Sequence, residues 1–200
     1  MSLAVINNYL VVSFTDDKKI NIGWLGMSDI ERFNWLYLIT FRAHALMDIC
    51  TACQTFGVEK ELVGVLVNAN ESELRRLVTD DCTLIRQNFN TSILERSVGH
   101  TQDSPLNDVQ ELNYKYLMLV RYIASKSIRE AMLRTGVEYA AAEKLIRLTE
   151  FDIKELSRQE VCMGGCHLSK RAFKTATAAE FSLPDFITML SIRSAPCAAL

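Results

Sequence analysis

Between residues 28 and 56 apolar side chains recur at roughly helical spacing, and no Gly or Pro intervenes. Phe33, Leu36, Tyr37, Phe41, Ala45 and Ala52 follow that spacing in part. Their density exceeds what a single face requires, which predicts a long, largely buried helix. Ser28 and Glu31 form a capping box at its start, and Gly57 stops it as a left-handed C-terminal residue. A second helix is expected over 58–67 and a short third one from Glu71 to Leu77, with Asn68-Ala69-Asn70 between them. The same plan returns downstream. A long helix is expected from about Val109 to Thr135, stopped by Gly136, then one over 138–148. Thr149 and Asp152 then open a last one over 150–158. Upstream, residues 10–14 and 20–24 are short β-branched and aromatic runs separated by five polar residues. They predict a β-hairpin that must pack on something else.

Laid over each other at an offset of 79, residues 34–77 and 113–156 align without a gap and agree at 13 of 44 positions. The shared residues include Asn34/Asn113, Tyr37/Tyr116, Leu38/Leu117, Arg42/Arg121, Gly57/Gly136 and Leu77/Leu156. Two copies are too few for a solenoid but suit a pseudo-symmetric dimer folded from one chain. Tyr37, Leu38, Tyr116 and Leu117 are then the expected pseudo-dimer core. The organisation expected is a hairpin extension over 1–27, one unit over 28–96, a polar linker over 97–108, and a second unit with a basic helical tail over 109–200.

Charge separates the two halves. Residues 1–112 hold 9 basic and 15 acidic residues, whereas residues 113–200 hold 13 and 9. The second half can approach a polyanion and the first would be repelled by one. Lys154 and Arg158 in the last repeat helix, with Lys170, Arg171 and Lys174 in the tail, are the candidate DNA-binding residues. They suffice for salt-sensitive phosphate contact but not for sequence specificity. The helix, Gly136 turn and following helix also have the layout of a helix-turn-helix, or of any small helical hairpin.

Other chemistry is sparse. Cys50-x-x-Cys53 falls inside the first long helix, where no helix N-terminus activates a thiol, and reads as two small core residues. Cys162, Cys166 and His167 lie in a glycine-containing turn and are weak metal candidates, awkwardly spaced for joint chelation. A metal- or redox-sensing regulator is the reading they would support. No acid–base or nucleophile constellation is present, so a non-enzyme is expected, and no cofactor is called for. No apolar run approaches a membrane span and the start lacks a signal-peptide pattern, which makes a cytoplasmic protein with no membrane partner the expectation.

Within the second copy, YLMLVRYI at 116–123, AMLRTGV at 131–137, the stretch from Leu145 to Leu156 and the Val161-Cys162 step resemble the FlhD family of bacterial transcriptional activators. The resemblance covers residues from about 109 to 190. It implies a mainly α protein, here two tandem FlhD-like helical units forming an intramolecular pseudo-dimer with a short N-terminal β-hairpin. It also implies an FlhC-like partner subunit, binding to promoter DNA, indirect recruitment of RNA polymerase, and control of flagellar or conjugative-transfer genes. Nucleoid association would follow from DNA binding. In that family the zinc cysteines belong to the FlhC-like subunit, so none is expected here. The alternative is an interaction module that sequesters a partner and never touches DNA.

Overall fold

A computed structural model of the chain describes residues 27–95, 104–166 and Phe173. The expected N-terminal hairpin, most of the linker, His167 and the basic tail with Lys170, Arg171 and Lys174 lie outside these residues. The fold is mainly helical, with one two-stranded sheet. Four helices come first: α1 (Asp29–Met47), α2 (Ile49–Phe56), α3 (Lys60–Asn68) and α4 (Glu71–Leu77). Strand β1 (Ile85–Gln87) and a 3-10 turn (Thr91–Glu95) follow. Then come α5 (Asp108–Lys126), α6 (Ile128–Thr135), α7 (Tyr139–Arg147), α8 (Glu150–Leu156) and β2 (Gly164–Cys166). Each element from α1 to β1, the 3-10 turn aside, has a counterpart whose first and last residues lie 79 positions further on.

The single long helix expected in each half is two helices. No Gly or Pro breaks it; a side-chain cap does. Asp48 turns to extended backbone and accepts from the amides of Cys50 and Thr51. Ser127 does the same for Glu130. Each cap satisfies amides that a helix start would leave orphaned. Both expected capping boxes, Ser28–Glu31 and Thr149–Asp152, are formed. Gly57 and Gly136 both sit at φ +62°, where a side chain would be strained.

Helix α1 packs on α2 and α3, α5 packs on α6, α7 and α8, and α1 and α5 pack on each other. Tyr37, Leu38, Tyr116 and Leu117 are all buried. Phe33 and Tyr116 meet between the two long helices, ring centres 5.7 Å apart. The two interiors differ. Tyr37, Phe41 and Phe56 form an aromatic cluster in the first half, where the second half has Tyr116, Val120 and Thr135. Tyr116 donates its hydroxyl to Thr135 O at 3.0 Å, whereas the buried Tyr37 hydroxyl makes no hydrogen bond of normal geometry.

The chain after α4 and after α8 is held by an asparagine that stands at the same place in each half. Asn34 donates from Nδ2 to Thr79 O and Cys82 O, and its Oδ1 accepts from Leu84 N–H. Asn113 donates to Ser157 O, Gln159 O and Val161 O, and accepts from Met163 N–H. Each anchored segment then crosses to the other half. Thr83 N–H donates to Arg134 O at 2.7 Å, and Cys162 N–H donates to Thr55 O at 2.7 Å. These donors and acceptors are again counterparts at the 79-residue offset. Strands β1 and β2 pair antiparallel with Arg86 opposite Gly165, its own counterpart.

Candidate nucleic-acid and partner-binding surfaces

Of the five sequence-derived DNA candidates, two fall among the described residues. Lys154 stands exposed on α8. Arg158 is engaged within the fold. Its Nε donates to Glu155 at 3.0 Å, and its terminal nitrogens donate to the hydroxyl and carbonyl of Ser104. It therefore clasps the chain that leads into α5. The structure does not bring Lys154 and Arg158 to a common unpaired surface.

The α6–Gly136–α7 corner has helix-turn-helix connectivity, and three of its four cations are paired, while Arg129 on α6 is exposed and forms no ion pair with a described residue. Lys144 reaches Glu95 at 2.5 Å and holds that carboxyl below the usual range, chiefly through their hydrogen bond. Arg147 pairs with Glu143 at 2.7 Å. Arg134 pairs with Glu130 and donates to the carbonyls of Asp80 and Asp81. Residues 104–166 contain nine basic and nine acidic residues. Residues 113–166 alone hold nine basic and seven acidic residues, so the positive excess of the second half is shared equally between them and the segment beyond residue 166, which holds Lys170, Arg171, Lys174 and Arg193 with Glu180 and Asp185. Residues 27–95 hold six basic and ten acidic residues.

The cysteines take different places from those expected. Cys50 is exposed and so is not a small core residue, whereas Cys53 is half-buried and packs against the core. The break at Asp48 explains this, because it places Cys50 second in a new helix rather than deep inside a long one. Asp48 sits at that helix start with its carboxyl held low by hydrogen bonds, first from the Thr51 hydroxyl, then from the Thr51 and Cys50 amides. Its charge offsets the helix dipole that would otherwise favour a thiolate. Burial pushes the Cys53 thiol up. Cys162 is buried at 2 % exposure, and burial pushes its thiol up to about 12. A thiol in that state is a poor ligand and a poor nucleophile at neutral pH. Cys166 is half-buried at the end of β2, beside the Tyr37 hydroxyl. Among the described residues no three His, Cys, Asp or Glu side chains come together as a metal site, and no helix is long and apolar enough to cross a membrane.

Sequence reasoning missed the Asn34 and Asn113 anchors as structural devices. Their signal was present: an amide identical at the 79-residue offset, at a position where the neighbouring residues are apolar. Buried polar residues persist where the backbone needs them as partners.

Residues 99–180 match the family model of the flagellar transcriptional activator FlhD. The matched span takes in α5 to α8 and β2, whereas α1 to α4 lie outside it. It points to a transcriptional activator and to a regulatory rather than an enzymatic protein. No curated protein and no solved structure matches the chain.

Proposed function

We propose that the chain is a transcriptional activator subunit built as two FlhD-like units in tandem, which pair with each other as a dimer would. Together with an FlhC-like partner it binds promoter DNA and recruits RNA polymerase at flagellar or conjugative-transfer genes. The observation that carries this reading is the reciprocal crossing of the two anchored segments, with Thr83 bound to Arg134 and Cys162 bound to Thr55. A family match over one half, joined to the same element plan at a constant offset in the other, supports one unit repeated rather than one unit extended. In this reading Lys170, Arg171 and Lys174, with Lys154, supply phosphate contacts. The acidic first unit faces protein.

Mobility shifts of promoter DNA with and without the partner test the proposal. Replacing Lys170, Arg171 and Lys174 by Glu should weaken binding and lower the salt slope by roughly 0.9 for each phosphate that is no longer neutralised. An unchanged affinity and slope would rule out this DNA face. The pairing of Arg134, Lys144, Arg147 and Arg158 within the fold favours a second reading, a partner-sequestering module that makes no DNA contact. Crosslinking to DNA in the assembled complex separates the two.

A further inference from the structure

One stretch of the described chain is strongly basic, and most of its charge stays unpaired. Residues 121–134 run from late in α5 to near the end of α6 and hold four basic residues and one acidic. The remainder of 113–166 holds five basic and six acidic residues. The one acid of the stretch, Glu130, is taken by Arg134 at 3.1 Å. Asp80 and Asp81, whose carbonyls accept from Arg134, lie by the far end of α6. Lys126 and Arg129 are exposed, and neither forms an ion pair with a described residue.

These two cations stand on either side of Ser127, the extended residue that caps α6. Three peptide units separate them, so their Cα atoms lie at most about 11 Å apart. The Lys126 ammonium lies 3.9 Å from the centre of the Tyr122 ring and donates to its hydroxyl at 2.5 Å. A neutral ring holds the ammonium in place without cancelling its charge. The ordering cost of a new contact is then partly met in advance. The helix break itself does not call for this charge. At the 79-residue offset Lys126, Arg129 and Tyr122 correspond to Met47, Cys50 and Ala43, and the cap Ser127 to Asp48. The first half makes the same corner with a carboxylate; the second makes it with a neutral cap between two cations.

We propose that the α5–α6 corner, through Lys126 and Arg129, is a contact surface for the phosphate backbone of duplex DNA. This rests on the DNA-binding reading above and adds to it a site separate from Lys170, Arg171 and Lys174. Charge complementarity selects the occupant. Each DNA strand carries one negative charge per roughly 3.4 Å of rise, so a backbone passing the corner offers both cations a phosphate. At the first-half corner Asp48 would repel the same backbone. Such contacts fix position and add affinity without reading sequence.

The test uses the full chain with its FlhC-like partner, a promoter duplex and a scrambled duplex of equal length, over a salt series. Replacing Lys126 and Arg129 together by Gln should weaken both duplexes alike and lower the salt slope by about 1.8, roughly 0.9 for each phosphate released. Far-UV circular dichroism should not change. Lys126→Arg with Arg129→Lys should restore the slope. Lys60→Gln with Arg76→Gln removes the same charge from the first half and should leave the slope as it was. In the intact complex, acetylation of Lys126, read by mass spectrometry, should fall when duplex is added. An unchanged slope in the Gln variant, an equal loss in the first-half control, or protection of Lys126 by the partner before any DNA is present would overturn the proposal. A native complex that binds DNA while the Gln variant keeps its slope defeats this surface alone; a native complex that binds neither duplex defeats the DNA-binding reading with it.

Discussion

Replacing Asn113 with Ala removes the clamp that fixes the chain between α8 and β2. The amide donates to three carbonyls at 3.0 to 3.4 Å and accepts from Met163 N–H at 2.7 Å. Asn113 and Met163 are 1 % and 2 % exposed, so water cannot readily replace the missing partner. One buried donor left unsatisfied costs about 1–3 kcal/mol, and the absent amide bonds add about 1 kcal/mol net. The expected loss is therefore about 2–4 kcal/mol, a large part of the roughly 5–15 kcal/mol typical of a folded domain. At about 2–4 °C per kcal/mol for a chain of this size, the midpoint should fall by about 4–16 °C. Urea unfolding followed at 222 nm measures the loss, and hydrogen exchange at the Met163 amide localises it. Asn34→Ala should cost a similar amount, because Leu84 N–H is held in the same way. Asn113→Asp keeps the acceptor but points a carboxylate at three carbonyls. That variant should regain stability on acidification, when a protonated acid can donate again. A loss below about 0.5 kcal/mol for Asn113→Ala, within the range of an ordinary surface change, would refute the clamp.

Three further outcomes are expected. Gly57→Ala and Gly136→Ala both place a side chain at φ +62°. At Gly136 the new Cβ also meets the Arg86 stem at 2.2 to 2.8 Å, against 3.8 Å to the nearest atom at Gly57. Urea midpoints should therefore show Gly136→Ala as the more damaging by about 1–3 kcal/mol, with Arg86→Ala relieving part of the difference. Alkaline titration should destabilise the fold as Cys162, Tyr37 and Tyr116, all raised by burial, are forced to ionise. The folded state holds its protons where the unfolded chain releases them, so stability falls from about pH 8.5 upward, and more steeply above about pH 10. Cys162→Ala should flatten that slope by about 1.4 kcal/mol per pH unit between the unfolded thiol value and about 12. In the native protein a thiol reagent should modify exposed Cys50 rapidly and Cys162 only upon unfolding; early labelling of Cys162 by mass spectrometry would contradict its burial.

Most of the helical plan is readable from pattern alone, because Ser28, Gly57, Gly136 and Thr149 each carry a local signal with one physical meaning. The breaks after Met47 and Lys126 are harder. Asp48 and Ser127 are ordinary polar residues inside an apolar run, and only the amides they cap distinguish a break from a solvated helix face. The same break governs Cys50, which looks like a core residue only if one helix runs through it. Strands β1 and β2 are three residues each and join segments 79 positions apart, so no local periodicity announces them. The surfaces are less legible still. Whether Arg158 or Lys144 is available depends on Ser104 and Glu95, residues distant in sequence that only the fold brings near.

The crossed segments have a consequence for dosage. Each half is completed by a stretch of chain from the other, and both are encoded in one polypeptide. Their meeting is intramolecular, at an effective concentration of roughly millimolar whatever the amount of protein made. Separate chains would drift apart on dilution, and two unlike chains would also form like-with-like pairs. Here a single translation event delivers one acidic and one basic half in fixed ratio, so dilution does not separate them.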